Sequence, residues 1–140
     1  MTRGLLDTSI LILFDRIADK SVFPEHPLIS AITLAELSVG PLVARDEVTR
    51  TVRQRHLQQA EADFEPLPFD ARAARVFGWV SSSLHRAGSK ANARTYDAMI
   101  AAVAIANELP LFTCNPGDFE GIDGLDVVAI PHPDSAEPSR

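Results

Sequence analysis

Residues Ala98 to Ala106 (AMIAAVAIA) are apolar without interruption. A helix over them is hydrophobic on every side and belongs inside a packed domain. Asp97 stands immediately before the run, in what would be the helix's first turn. Leu109 to Cys114 (LPLFTC) then reads as a short buried strand, and Asn115-Pro116-Gly117-Asp118 as the turn after it. Near the start of the chain, Gly4-Leu5-Leu6 predicts a buried strand ending on Asp7. Thr8 or Ser9 then caps a helix through Ile10, Leu13, Phe14 and Ile17. Pro24 to Pro27 reads as a loop and Leu28-Ile29-Ser30 as a second strand. Thr33 opens a helix through Leu34 and Leu37 that Gly40-Pro41 interrupts or kinks.

The middle of the chain is more polar. Asp46 to Asp63 predicts a helix with few apolar anchors beyond Val48 and Val52, lying on the surface or against a partner. Glu65 to Phe69 carries two prolines, which suit an edge strand or an extended connector. Asp70 caps a further helix whose stripe Ala73, Val76, Phe77, Val80 and Leu84 belongs to the core. Arg86 to Arg94 (RAGSKANAR) is a small-residue loop carrying three cations, and Asp126 to Ile130 a last strand. Helix and strand signals alternate throughout, which predicts an α/β fold with a parallel sheet covered on both faces. Residues 1–130 are expected to form one domain and 131–140 a disordered tail.

A chain of 140 residues is long enough for one core and too short for two. No apolar run approaches the roughly 18 residues of a membrane span, and Asp7 breaks the N-terminal apolar stretch that a signal peptide would need. The expected setting is the cytoplasm. The single cysteine excludes an internal disulfide framework and a thiolate zinc site. A net charge of −6 argues against coating nucleic acid through a broad basic face. It leaves open an enzyme that grips a few phosphates with bound metal.

An aspartate at the end of a strand of leucines is costly unless something binds it, so Asp7 is read as more than a cap. Glu36 follows Thr33 by three residues, a spacing that fits a capping box as well as it fits chemistry. With Asp97 and Asp118 they make four acidic residues at element ends. In such sheets, strand C-terminal ends and the turns after them are where ligands bind. If the first strand neighbours the one ending at Cys114, their carboxylates converge. Clustered carboxylates repel one another, and a hard divalent cation such as Mg²⁺ or Mn²⁺, which prefers oxygen ligands, relieves the repulsion. A metal held there can polarise a phosphoryl oxygen and lower the pKa of a water. That chemistry is phosphodiester hydrolysis.

The stretches LLDTSILI, ITLAEL, YDAMIAAVAIA and LFTCNPGDF resemble, in order and spacing, the motifs of the PIN-domain family, and within it the short VapC-type toxins of bacterial toxin–antitoxin pairs. The resemblance spans nearly the whole chain. It implies a three-layer α/β/α sandwich with a central parallel sheet of four to five strands, and a Mg²⁺-dependent endoribonuclease in which Mn²⁺ can substitute. The family's acidic quartet falls on Asp7, Glu36, Asp97 and Asp118, with Asp7, Asp97 and Asp118 as metal ligands and Glu36 acting through water or orienting it. Its supporting polar positions fall on Ser9, Thr113 and Asn115. The resemblance also implies an RNA substrate, a homodimer, and a small antitoxin that inserts a basic side chain into the acidic site. Tyr96 stands where many relatives carry a different polar residue, and nothing from Arg45 to Phe69 matches a motif. Arg86, Lys90 and Arg94 are candidates for steering RNA phosphates, although charged loop residues are commonly only solvated.

Other readings are weaker. A receiver domain needs an acidic pair after its first strand and a late lysine. Here Thr8-Ser9 follows Asp7, and no lysine follows Lys90. A haloacid-dehalogenase-like phosphatase needs an aspartate where Ser9 stands. A PIN fold without catalysis, serving as a scaffold, would not require the intact quartet. The four histidines show no metal-binding spacing, and Cys114 has no histidine nearby in sequence to activate it, so a buried structural thiol is expected.

Overall fold

The computed structural model describes residues 2–88 and 94–135. Four strands, β1 (Arg3–Leu6), β2 (His26–Leu28), β3 (Leu111–Thr113) and β4 (Val127–Ala129), form one parallel sheet in the order β2-β1-β3-β4. Five α-helices accompany them: α1 (Thr8–Leu13), α2 (Ala31–Leu42), α3 (Glu47–Asp63), α4 (Ala71–Arg86) and α5 (Thr95–Ala106). Successive strand residues point to opposite faces, and the core divides accordingly. Leu5 and Leu111 pack with Val80 and Leu84 of α4 and with the buried residues of α5. Leu6 and Phe112 pack with Ile10 of α1, Leu37 of α2 and Ala60 of α3. The result is the expected three-layer sandwich, with four strands.

The uninterrupted apolar run lies where its composition demands. Ala98, Ile100, Ala101, Ala102, Val103, Ala104 and Ala106 of α5 are all buried. The helix stops because Glu108 takes a left-handed conformation (φ 54°). Leu109 N–H then donates to the Ala104 carbonyl at 2.9 Å and Glu108 N–H to that of Ile105 at 3.1 Å. This paired reversal satisfies the helix's last carbonyls and turns the chain into β3. β3 pairs with β1 in the register Leu5↔Leu111 and Leu6↔Phe112, which sets Asp7 beside Thr113 at the sheet's C-terminal edge.

Several local expectations shift. β2 begins at His26 and includes Pro27, earlier than the predicted Leu28–Ser30 strand. It is an edge strand, where a proline's missing donor costs nothing. Glu65 to Phe69 forms no strand; it contributes one bridge, Leu67 to Ser30. α2 starts two residues before Thr33, with its N-cap Ser30 accepting from Thr33 N–H at 3.2 Å, so Thr33 and Glu36 do not form a capping box. α1 is capped by Asp7 itself and not by Thr8 or Ser9.

The unmatched middle stretch has a structural role. At the end of α2, Arg53 of α3 donates to the Gly40 carbonyl at 3.0 Å, while Arg50 donates to those of Pro41 (3.3 Å) and Ala44 (3.2 Å). These arginines supply donors to carbonyls that the ending helix leaves open. At the other end of the chain, Pro133–Ser135 make a single 3-10 turn, and Arg16 pairs with Asp134. Residues 136–140, part of the tail expected to be disordered, lie outside the described residues.

One glycine couples the core to the sheet edge. A Cβ on Gly4 would meet the Phe112 ring at 2.3 Å and Pro24 at 3.1 Å. Phe112 is 8% exposed and belongs to β3, one residue before Thr113, so it has little room to retreat. Gly4→Ala is therefore expected to destabilise the fold by about 1–3 kcal/mol, the usual range for overpacking. A chemical-denaturation midpoint lowered at unchanged slope would show it.

Candidate active site

Asp7 leaves β1 at the C-terminal edge of the sheet and is only 4% exposed. Both of its carboxylate oxygens are hydrogen-bonded. One oxygen accepts from Ser9 Oγ at 2.6 Å and from Ile10 N–H at 3.2 Å, and the other accepts from Thr113 Oγ1. Burial pushes its pKa up, opposed by the hydrogen bonds of Ser9, Thr113 and Ile10, while the charge of Asp118 adds to the rise. Asp7 is thus both a helix cap and a buried carboxylate at the sheet edge.

Ser9 and Thr113 connect it to the neighbouring loop. Ser9 Oγ accepts from Cys114 N–H at 3.2 Å, and Thr113 Oγ1 accepts from Asn115 N–H at 2.9 Å. Asn115 enters through its backbone, for its carbonyl also accepts from Asp118 N–H at 3.0 Å. Asp118 sits exposed in the 3-10 turn Pro116–Phe119, which the buried Phe119 anchors.

Glu36 reaches the site from the second turn of α2. Its carboxylate accepts from Thr8 Oγ1 at 2.6 Å, and Thr8 Oγ1 also lies 3.1 Å from Thr33 Oγ1. Burial raises Glu36, the Thr8 hydrogen bond lowers it, and Asp7's charge raises it again. Thr8 was legible in sequence only as a candidate cap; its contact with a residue 28 positions away has no local signal.

Asp97 lies half-buried in the first turn of α5. Its pKa is pushed from 3.8 to about 7, first by burial and then by the charges of Asp118, Glu36 and Asp7, with Arg94 opposing. All four acids therefore share one electrostatic field, although they come from four separate segments. Among the described residues, no three His, Cys, Asp or Glu side chains stand close enough to enclose a metal ion as they are placed. The donors are all carboxylate oxygens with a strong mutual repulsion. Such a set fits a hard divalent cation that keeps much of its water.

The three candidate cations divide. Arg94 turns its guanidinium onto the Asp118 loop, donating to the carbonyls of Asp118 and of Glu120, the latter at 3.3 Å. Arg86 faces Asp123 at 3.2 Å and the hydroxyls of Ser82 and Ser83. Lys90 lies outside the described residues. Cys114 is buried, and burial together with Asp7's charge pushes its thiol pKa up, which disfavours a nucleophilic thiolate.

A family model described as PIN domain matches residues 4–125. The chain belongs to the PIN-domain family. All four acids fall inside the matched span. Among curated relatives, Ribonuclease VapC5 of Mycobacterium tuberculosis (strain ATCC 25618 / H37Rv) is 39% identical over 129 residues, covering 91% of this chain and 93% of the relative. Ribonuclease VapC of Rickettsia bellii (strain RML369-C) is 30% identical, covering 91% and 96%. A solved structural neighbour is the crystal structure of VapBC-5, a member of the VapBC family of toxin–antitoxin systems from Mycobacterium tuberculosis. It superposes with a TM-score of 0.77 at 32% identity, covering 93% of this chain and 100% of that one. Membership in the PIN-domain family removes the receiver and dehalogenase-like readings. No helix among the described residues is long and apolar enough to cross a membrane.

Proposed function

We propose that this chain is a VapC-type endoribonuclease, the toxin of a toxin–antitoxin pair, that hydrolyses RNA with Mg²⁺ at Asp7, Glu36, Asp97 and Asp118. The observation that carries the reading is Asp97. A carboxyl group held near pKa 7 by burial and three like-charged neighbours is poised for a cation, and perturbed groups of this kind concentrate at functional sites. Asp7, Asp97 and Asp118 would hold the ion, in part through water, and Mn²⁺ would serve in its place. When bound, the metal supplies charge to a phosphoryl oxygen and acidity to a water.

The chain's own residues do the rest. Asp7 accepts three hydrogen bonds that fix both its oxygens. Glu36 is held by Thr8 and carries a raised pKa, which suits it to orient the attacking water and accept its proton. Attack at phosphorus then displaces the 3′ oxygen and leaves a 5′-phosphate.

The partner reading rests on the same charges. An acidic site receives an arginine or lysine through charge-assisted hydrogen bonds, so a small antitoxin would inhibit by inserting one. Beside Glu36 runs a cavity of about 530 Å³ between α2 and α3, lined among others by Thr8, Ile12, Leu37, Val48 and Val52. Its apolar walls would seat the antitoxin segment that delivers the cation, in a toxin that is itself a homodimer.

The test is to map RNA ends after incubating total bacterial RNA with the purified chain and Mg²⁺ or Mn²⁺, with Asp97→Asn as control. Discrete cuts bearing 5′-phosphates, lost in the control and in chelator, are expected. A folded, metal-binding wild-type chain that makes no cuts would leave the non-catalytic scaffold as the better reading.

A further inference from the structure

Asp97 and Asp118 sit on different elements, α5 and the 3-10 turn after β3, and no strand pairing joins those elements. The turn's internal hydrogen bonds are few. Asp118 N–H donates to the Asn115 carbonyl at 3.0 Å and Glu120 N–H to that of Gly117 at 3.4 Å. Phe119 packs the turn into the core cluster that contains α5, and Arg94 adds the polar tie between the two backbones. From the residue preceding α5, three positions before Asp97, its guanidinium donates through Nη2 to the Asp118 carbonyl and through Nη1 to the Glu120 carbonyl. Two carbonyls two residues apart are thus met by one planar group. Arginine's rigid fork presents paired donors in fixed geometry, whereas a lysine ammonium acts as a single point charge. Charge-assisted hydrogen bonds of this kind are among the stronger ones a side chain can make.

Resting on the nuclease reading above, we infer that Arg94 is a positioning residue: it clamps the Asp118 turn to the first turn of α5, fixing the separation of Asp118 and Asp97 and hence the metal site. This reassigns Arg94 from the phosphate-steering role suggested by its place in a basic loop. A guanidinium committed to two backbone carbonyls is drawn inward toward the turn, and the residue is half-buried.

The decisive variant is Arg94→Lys, which keeps the charge and removes the fork. Arg94→Gln, which removes both, accompanies it. Three quantities are read on the purified chain: Mn²⁺ affinity by calorimetry, kcat and KM on a cleavable RNA, and the salt dependence of RNA binding in an Asp97→Asn background. Arg94→Lys is expected to weaken Mn²⁺ binding about 5- to 10-fold and lower kcat at sub-saturating metal, with KM and the salt slope of RNA binding unchanged. Arg94→Gln should weaken Mn²⁺ binding less than Arg94→Lys does, because removing a cation beside the acids favours metal. Mn²⁺ affinity and kcat at wild-type values in Arg94→Lys would overturn the clamp. So would a drop in RNA affinity with a shallower salt slope and unaltered Mn²⁺ binding, which is the signature of a phosphate contact. If Arg94→Gln fails to fold, Arg94→Lys alone decides. The Mn²⁺ measurement needs no RNA, so it stands even if the wild-type chain proves to cut none.

Discussion

Asp97→Asn is expected to abolish RNA cleavage while leaving the fold intact, with kcat reduced by more than about 100-fold. The magnitude follows from the role assigned to the carboxylate. Altering a group that only supports a metal ligand typically costs roughly 10- to 100-fold, and removing the ligand charge itself should exceed that. Asparagine preserves the shape and half-buried position of Asp97, so the loss would report chemistry and not packing. Asp7→Asn is also expected to be inactive, but its interpretation is less clean. Asp7 accepts from three donors, Ser9, Ile10 and Thr113. An amide there must present its NH₂ to at least one of them; turned toward Thr113 it would leave that hydroxyl's proton without its acceptor, and a buried donor left without a partner is destabilising. Asp97 is therefore the better probe. The check is cleavage of a mapped RNA site at saturating Mg²⁺, alongside circular dichroism of both proteins. Cleavage by folded Asp97→Asn at even a tenth of the wild-type rate would remove Asp97 from the catalytic set.

Much of this arrangement is legible in the amino-acid sequence alone. The α5 run was legible because nine consecutive apolar residues are incompatible with a surface helix, whatever surrounds them. The neighbouring β3 and its turn followed from a short apolar stretch ending in Asn-Pro-Gly-Asp. Once the sheet order placed β1 beside β3, Asp7 and Thr113 had to meet at its edge. What escaped was set by contacts between distant segments. Nothing near Thr8 announces that its hydroxyl will hold Glu36, and Glu36's spacing from Thr33 suggested a cap that Ser30 in fact provides. Arg94 looked like one of three cations in a loop; only the packing of α5 against the Asp118 turn shows where its fork goes. The arginines of α3 likewise acquire meaning only beside the end of α2. Periodicity reports which face of an element is buried. It carries no information on which polar side chain will reach across to another element.

The same cluster should make the metal-free protein less stable than its own inactive variant at alkaline pH. Asp97's pKa is about 7 in the folded chain against 3.8 for an unperturbed aspartate. Between these values the folded state binds more protons than the unfolded one, so stability falls as pH rises through the window and is flat above it. At full value that separation would be worth about 4 kcal/mol; the carboxyl is partly exposed, and solvent screening reduces the figure to about 1–2 kcal/mol. Asparagine is neutral throughout and escapes the penalty. In chelator, Asp97→Asn is therefore expected to melt about 3–8 °C above wild type at pH 8, with the gap closing as pH is lowered toward 4. Saturating Mg²⁺ should narrow or reverse the difference, because a ligand that binds only the folded state stabilises it, and the variant binds that ligand poorly. Differential scanning calorimetry at two pH values, with chelator and with Mg²⁺, measures all of this. Equal melting temperatures at pH 8 in chelator would mean that Asp97 does not bear the repulsion of Asp118, Glu36 and Asp7, and the argument for a cation at their centre would lose its physical basis. The destabilisation and the activity have one source: four carboxylates that the fold holds together, whose repulsion a metal would relieve.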